Sequence, residues 1–156
     1  MGGAAALRTA TGAALYASRI EAEAMVRGAP SREPRGSWLT TTSYALMSRL
    51  MNAQSAQATT LVSPGDVLPI MGGLRVLATP GHTAGHLSFF APAYGVLFAG
   101  DSLMATRDGL RFADGPVTLD YAAGRVSAQL QAQLRPQMVC AGHGPVLRGR
   151  QIIFPE

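Results

Sequence analysis

The chain has 156 residues, of which 47% are hydrophobic and 14% are charged, and its formal net charge is +4. This composition is typical of a folded globular chain and argues against a disordered one, and the length fits a single domain over residues 1–156. No apolar run reaches the roughly 20 residues of a membrane helix, and no basic leader precedes an apolar stretch near Met1, so we expect a cytoplasmic protein that does not bind a membrane.

All thirteen basic residues are arginines, and they are scattered from Arg8 to Arg150. Nucleic-acid binding requires basic groups gathered on one face, so it is retained only as a minor alternative. The single cysteine, Cys140, has no partner for an internal disulfide and lies in an apolar run, which predicts a small buried hydrophobe.

The first third of the chain is predicted to be mainly helical. The predicted elements are a helix over 2–11 with a glycine stop, a short buried strand over 13–17, a helix over 21–27 and a helix over 42–54. Prolines and charged residues over 28–36 indicate a loop before the last of these helices. The methionine-rich apolar face of the 42–54 helix is typical of a core-facing surface.

From Val62 onward the pattern changes to short strands separated by glycine and proline. Two hairpins are predicted, the first from strands over 67–70 and 74–79 and the second from strands over 87–90 and 96–99. A helix over 118–134 follows, with Thr118 as candidate N-cap, and a last strand covers 138–141.

Three polar side chains each follow one of these strands directly: His82, Asp101 and His143. A glycine precedes each of them, so the backbone can turn sharply and bring the side chains together. Two imidazoles and a carboxylate suit zinc and can also hold iron or manganese. Taken singly, each residue is better explained by ordinary turn chemistry; the combination of all three favours a metal site.

The motifs around these residues, Thr79-Pro80-Gly81-His82-Thr83-Ala84-Gly85-His86, Leu97-Phe98-Ala99-Gly100-Asp101 and Ala141-Gly142-His143-Gly144-Pro145, occur in that order. Together they resemble the second half of the metallo-β-lactamase superfamily, which includes glyoxalase II-like thioesterases and lactonases. The resemblance implies an α/β fold of the αββα sandwich type.

The resemblance also implies roles for the individual residues. His82 would ligate one metal, Asp101 would bridge two metals and act as the catalytic carboxylate, and His143 would ligate the second metal. His86 would not be a ligand but would pack or hydrogen-bond nearby. The implied activity is hydrolysis of an ester, thioester, lactone or related bond in a small-molecule substrate by a metal-bound hydroxide, with Zn²⁺, in one or two copies, as the expected metal and Fe or Mn as alternatives.

The sequence departs from the family in one respect, because it contains no His-x-His-x-Asp-His motif. We therefore expect an N-terminally truncated sandwich in which Met1 follows the position of the missing motif and the reading frame continues upstream. The first metal would keep one protein ligand and the second would keep two. Asp108 and Asp114 are conceivable substitutes, although both are ordinary loop acids, and Arg148 and Arg150 either hold an anionic substrate group or are plain surface charges.

The alternative function is a catalytically inactive fragment that associates with itself or is completed by another chain. Missing strands would leave an unpaired sheet edge and exposed apolar surface, which predicts a homo-oligomer.

Overall fold

The computed structural model describes residues 3–28, 31, 42, 55–112 and 118–155 of the chain. Apart from Thr42, the predicted helix over 42–54 lies outside the described residues, and so does most of the predicted loop over 28–36. No helix in the described part is long and apolar enough to cross a bilayer.

The first described elements are a helix, a two-residue strand and a second helix. Helix α1 spans Ala4–Thr11 and ends at Gly12, whose φ of 67° is left-handed, which confirms the predicted glycine stop. Of the strand predicted over 13–17, only β1, Tyr16–Ala17, forms. Helix α2 spans Arg19–Arg27 and begins after Ser18, whose hydroxyl accepts a hydrogen bond from the Glu21 N–H. A strand that was not predicted, β2 at Thr60–Leu61, pairs in parallel with β1.

The larger sheet contains both predicted hairpins. Its strands are β3 (Val67–Leu68), β4 (Leu74–Ala78), β5 (Leu87–Ala91), β6 (Val96–Thr106), β7 (Gly109–Phe112), β8 (Met138–His143) and β9 (Leu147–Arg148). Among the described residues the order is β3-β4-β5-β6-β8-β9, with β7 paired to the second half of β6. Strands β6 and β8 run parallel, and the other neighbouring pairs are antiparallel.

Strand β6 is longer than predicted, and Asp101 therefore lies inside a strand instead of following one. The extension exists because β7, which was not predicted, pairs with residues 103–106 of β6. At Gly100, where φ is 56°, the pairing of β6 with β8 changes register. This irregularity turns the strand locally next to Asp101.

The last helix, α3, spans Tyr121–Gln133. The prediction that Thr118 caps this helix was wrong, because the Asp120 side chain accepts the hydrogen bond from the Ala123 N–H. Aspartate is among the strongest N-cap residues, and it lies directly before the first helical residue.

Two of the three apolar clusters in the described region lie on the two faces of the larger sheet, and the third, smaller one includes Ala17 and Met25. Leu97 and Ala99 belong to one apolar cluster, together with Ala128 of α3, whereas Val96 belongs to the other. The split follows from the alternation of side chains along β6. Helix α3 therefore covers one face of the sheet, and its first turn lies against the loop that connects β4 to β5. Cys140 is partly buried against the second cluster.

Candidate metal centre

The three residues predicted as metal ligands come together in the structure. His82 Nε2 lies 3.6 Å from Asp101 Oδ2, and His143 Nε2 lies 3.5 Å from Asp101 Oδ1. His82 belongs to the loop between β4 and β5, Asp101 to the middle of β6, and His143 to the end of β8. Strands β6 and β8 run parallel with Gly100 opposite Ala141, and this register places Asp101 beside the last residues of β8.

The two histidines differ in their access to solvent. The His82 side chain is 12% exposed, whereas that of His143 is 74% exposed, and Asp101 between them is 40% exposed. One side of the centre is therefore enclosed by protein, and the other side is open to incoming molecules.

Close backbone approach at Gly142 keeps His143 and Asp101 together. A Cβ atom at this position would overlap Asp101 Oδ1. Any side chain there would push the carboxylate away from His143, so space, and not a left-handed backbone conformation, favours glycine at this position of the late Gly-His-Gly motif.

The loop that carries His82 is fixed by the start of α3. The Asp120 N–H donates to the Gly81 carbonyl oxygen at 2.9 Å, and the Ser127 hydroxyl donates to the Pro80 carbonyl oxygen at 2.6 Å. This support was not predicted, since it joins residues about 40 positions apart. These hydrogen bonds hold the loop that carries His82 against α3.

His86 contacts the centre from behind and does not point a ring nitrogen at either histidine. Its Nε2 accepts a hydrogen bond from the Asp101 backbone N–H at 3.1 Å, and its Nδ1 lies 2.8 Å from Thr79 Oγ1. Burial lowers the pKa of His86, and the nearby charges of Asp101 and Glu21 oppose that shift. His86 therefore hydrogen-bonds beside the predicted ligands, and its exclusion from the ligand set stays a prediction.

The number and arrangement of the donor side chains limit how the centre could hold a metal. Among the described residues, no three His, Cys, Asp or Glu side chains are arranged around a single ion. Instead, each oxygen of Asp101 faces a different histidine, an arrangement that fits two metal positions sharing one carboxylate. Each position then has two protein donors from this part of the chain, compared with the three that a catalytic zinc usually has.

Of the other charged residues considered in the sequence, the three that the structure describes do not join this cluster. Asp108 is exposed in the turn between β6 and β7, and Asp114 lies outside the described residues. Arg148 and Arg150 are exposed at and just after β9.

A cavity of about 430 Å³ opens beside the centre. His82 and Asp101 form part of its wall, and apolar side chains of α2 and β5, Met25 and Phe89, form another part. Predominantly apolar pockets with a few polar groups are typical of small-molecule sites. The cavity therefore gives a small molecule access to the carboxylate that the two histidines share.

Comparison with known proteins identifies the family of this chain. The model of the metallo-beta-lactamase superfamily matches residues 1–143. A hydroxyacylglutathione hydrolase of Rhodobacter capsulatus is 41% identical over 83 residues, which are 53% of this chain and 31% of that protein. The chain thus spans about a third of the length of this curated relative.

Solved structures agree on the fold. A metallo-beta-lactamase family protein from Thermus thermophilus has a TM-score of 0.64 at 23% identity, covering 94% of this chain and 52% of that one. The protein TTHA1623, solved in a di-iron-bound form, has a TM-score of 0.62 at 22% identity, covering 97% of this chain and 69% of that one. The family model matches most of this chain, and the solved structures share its fold. The chain therefore belongs to the metallo-β-lactamase superfamily.

Proposed function

We propose that this chain carries the half of a dinuclear metal centre formed by His82, Asp101 and His143, and that it serves in the hydrolysis of an ester, thioester, lactone or related acyl bond. The observation that carries the proposal is the approach of the two histidine Nε2 atoms to opposite oxygens of Asp101, at 3.6 and 3.5 Å. A carboxylate with a histidine on each oxygen is arranged to bridge two cations.

The donor chemistry and one structural neighbour support the proposed choice of metal. Imidazole and carboxylate suit zinc, iron and manganese, and the neighbour TTHA1623 is described as di-iron-bound. We propose Zn²⁺ as the resident metal, with iron as the alternative to be tested. When bound, such ions act as Lewis acids that polarise an acyl oxygen and lower the pKa of water.

The residues of the chain have separate tasks in this proposal. Asp101 would hold both cations through its two oxygens, and the enclosed His82 would hold one of them. His143, which is 74% exposed, would hold the other on the solvent-facing side of the centre. The acyl class of substrate is supported by the hydroxyacylglutathione hydrolase relative, whose name states hydrolysis of an acyl conjugate.

A second candidate is a module without catalysis of its own, which associates with itself or is completed by a partner chain. It is favoured by the donor count, since the described residues supply two protein donors for each metal position where a catalytic zinc has three.

Cytoplasmic location and a single-domain organisation over 1–156 remain predictions.

Hydrolysis of a generic ester and a generic thioester separates the two candidates. The protein is stripped with a chelator and assayed before and after reloading with Zn²⁺ or Fe²⁺. If the chain is a hydrolase in its own right, turnover depends on metal and falls at least about 10-fold in His143→Ala, the scale seen even when only a neighbour of a metal ligand is removed. Gln133→Ala, an exposed change on α3, serves as the control. Equal rates with and without metal contradict the hydrolase, and zinc uptake without turnover favours the non-catalytic module.

A further inference from the structure

We propose that the Asp101 backbone N–H fixes His86 as its Nδ1–H tautomer, and that His86, held in this form between Asp101 and a buried hydrogen-bond network that reaches α3, positions Asp101. The inference rests on the proposed function to the extent that Asp101 is a metal ligand. His86 is thereby a positioning residue, because it acts through the Asp101 backbone and does not itself reach a metal.

The tautomer follows from the contact between His86 and Asp101. A backbone N–H can only donate, so His86 Nε2, 3.1 Å from the Asp101 nitrogen, must carry a lone pair. The ring proton is then on Nδ1 and points at Thr79 Oγ1, 2.8 Å away. One hydrogen bond to the main chain of a metal ligand therefore determines which nitrogen of His86 is protonated.

The direction of the next hydrogen bonds follows in the same way. The single Ser88 hydroxyl proton is donated to the Ala99 carbonyl oxygen at 3.0 Å, so Thr79 must be the donor to Ser88 Oγ at 2.8 Å. Thr79 can donate there because it accepts from His86. The chain from the Asp101 N–H through His86, Thr79 and Ser88 to Ala99 thus has one consistent direction.

Helix α3 closes the far end of the network. Ser102 Oγ lies 2.7 Å from the Ala99 carbonyl oxygen and 3.5 Å from Ser88 Oγ, and it accepts from Gln131 Nε2 at 3.1 Å. Gln131 also donates to the Ser127 carbonyl oxygen, one turn earlier in the helix. The same helix that supports the His82 loop is therefore connected to the backbone of Asp101.

The polar side chains of this network are almost completely buried. Ser88 and Gln131 are fully buried, Thr79 is 1% exposed, and Ser102 is 6% exposed. Buried hydroxyl and amide groups are costly unless all of them are hydrogen-bonded, and a satisfied network restricts its members to one arrangement. The ring of His86 also lies directly on the main chain, since a Cβ at Gly100 would be 2.9 Å from its Nε2. The Asp101 peptide is thus held from behind while its carboxylate faces the two histidines.

Nuclear magnetic resonance of the metal-free, ¹⁵N-labelled chain tests the tautomer directly. The sequence contains three histidines, so the ring signals of His86 are assigned by comparison with His82→Ala and His143→Ala. We expect a protonated Nδ1, an unprotonated Nε2, and a scalar coupling across the hydrogen bond between the Asp101 amide nitrogen and Nε2. Protonated Nε2, or rapid averaging of both ring nitrogens, overturns the inference.

Two variants of Thr79 test whether the network matters to the metal. Thr79→Val keeps the shape but removes the acceptor, whereas Thr79→Ser keeps the hydroxyl. We expect Thr79→Val to weaken Zn²⁺ binding about 10-fold, the lower end of the range for groups that orient metal ligands. Thr79→Ser should bind Zn²⁺ as the wild type does. If Thr79→Val fails to fold, His86→Gln and His86→Phe give the same comparison, since glutamine keeps an acceptor and phenylalanine does not.

The outcomes separate this inference from the proposed function. Unchanged Zn²⁺ affinity in folded Thr79→Val, or in His86→Phe, overturns the positioning role while leaving the metal centre in place. A wild-type chain that takes up no Zn²⁺ overturns the metal centre and the positioning role with it, whereas the resonance experiment still decides the tautomer on the protein alone.

Discussion

Gly81 and Gly124 face each other where the His82 loop meets α3, and the contact is not symmetric. A Cβ atom on Gly81 would lie 2.6 Å from Gly124 Cα, whereas a Cβ on Gly124 would lie 3.9 Å from Gly81 Cα. The first separation is a clash with backbone, and the second is ordinary van der Waals contact.

The asymmetry predicts opposite effects for two alanine substitutions. Gly81→Ala meets backbone and also requires an unfavourable φ of 142°, so we expect it to lower the free energy of unfolding by about 2–4 kcal/mol. Gly124→Ala lies inside a helix, where alanine is favoured over glycine by about 1 kcal/mol, so it should be neutral or stabilising. Chemical denaturation of both variants checks this, and equal effects would contradict the described packing of loop on helix.

Gly142 offers a way to displace the Asp101 carboxylate without changing any of the three candidate ligands. In Gly142→Ala the added methyl group occupies the place of Asp101 Oδ1, so the carboxylate must turn away from His143. We expect a fall of at least about 10-fold in Zn²⁺ affinity, comparable with the loss of a group that orients a ligand. Gly3→Ala is the control, because no atom lies within 4 Å of its added Cβ. Calorimetric titration measures both, and wild-type affinity in Gly142→Ala would count against Asp101 as a ligand.

The start of α3 can be tested at Asp120. Its carboxylate accepts the Ala123 N–H at 3.1 Å, so Asp120→Ala should lower the free energy of unfolding by about 1 kcal/mol. Asp120→Asn keeps a capping oxygen and should remain close to the wild type. Thermal melts of the two variants distinguish a lost cap from a lost charge, and a loss of equal size in both would point to the charge.

An exposed apolar surface lies around the two-stranded sheet of β1 and β2. Val26 and Leu61 are 57% and 48% exposed and line the same groove, with Ile20 and Tyr16 exposed on the neighbouring α2 and β1. Apolar surface of this kind favours association, and we expect the mass measured by light scattering to rise with concentration. Val26→Lys should reduce the effect, while Val126→Lys on α3, at a side chain 56% exposed, should not. A monomer at all concentrations would contradict the expectation.

The sequence predicts the positions of the three candidate ligands better than the elements around them. His82, Asp101 and His143 are each marked by a preceding glycine and an apolar strand, which are local signals. Strand β7 was missed although it is local, since it pairs with β6 across the short turn at Arg107 and Asp108, and this hairpin is the reason why Asp101 lies inside a strand.

The buried network left no recognisable signal in the sequence. Ser88 and Gln131 resemble the ordinary polar positions of a strand and a helix, yet both are fully buried. Only the packing of α3 against the sheet brings Gln131 to Ser102. For the same reason the anchoring of the His82 loop by Asp120 and Ser127 could not be predicted from spacing alone.

Zinc stoichiometry in matched aspartate variants tests the central claim most directly. The wild-type chain, Asp101→Asn and Asp108→Asn are dialysed against Zn²⁺ and analysed for bound metal, and both variants remove one negative charge. If Asp101 is the carboxylate shared by His82 and His143, Asp101→Asn loses the bound zinc, while Asp108→Asn, altered in an exposed turn, keeps the wild-type amount. Equal zinc in Asp101→Asn and the wild type would contradict the account.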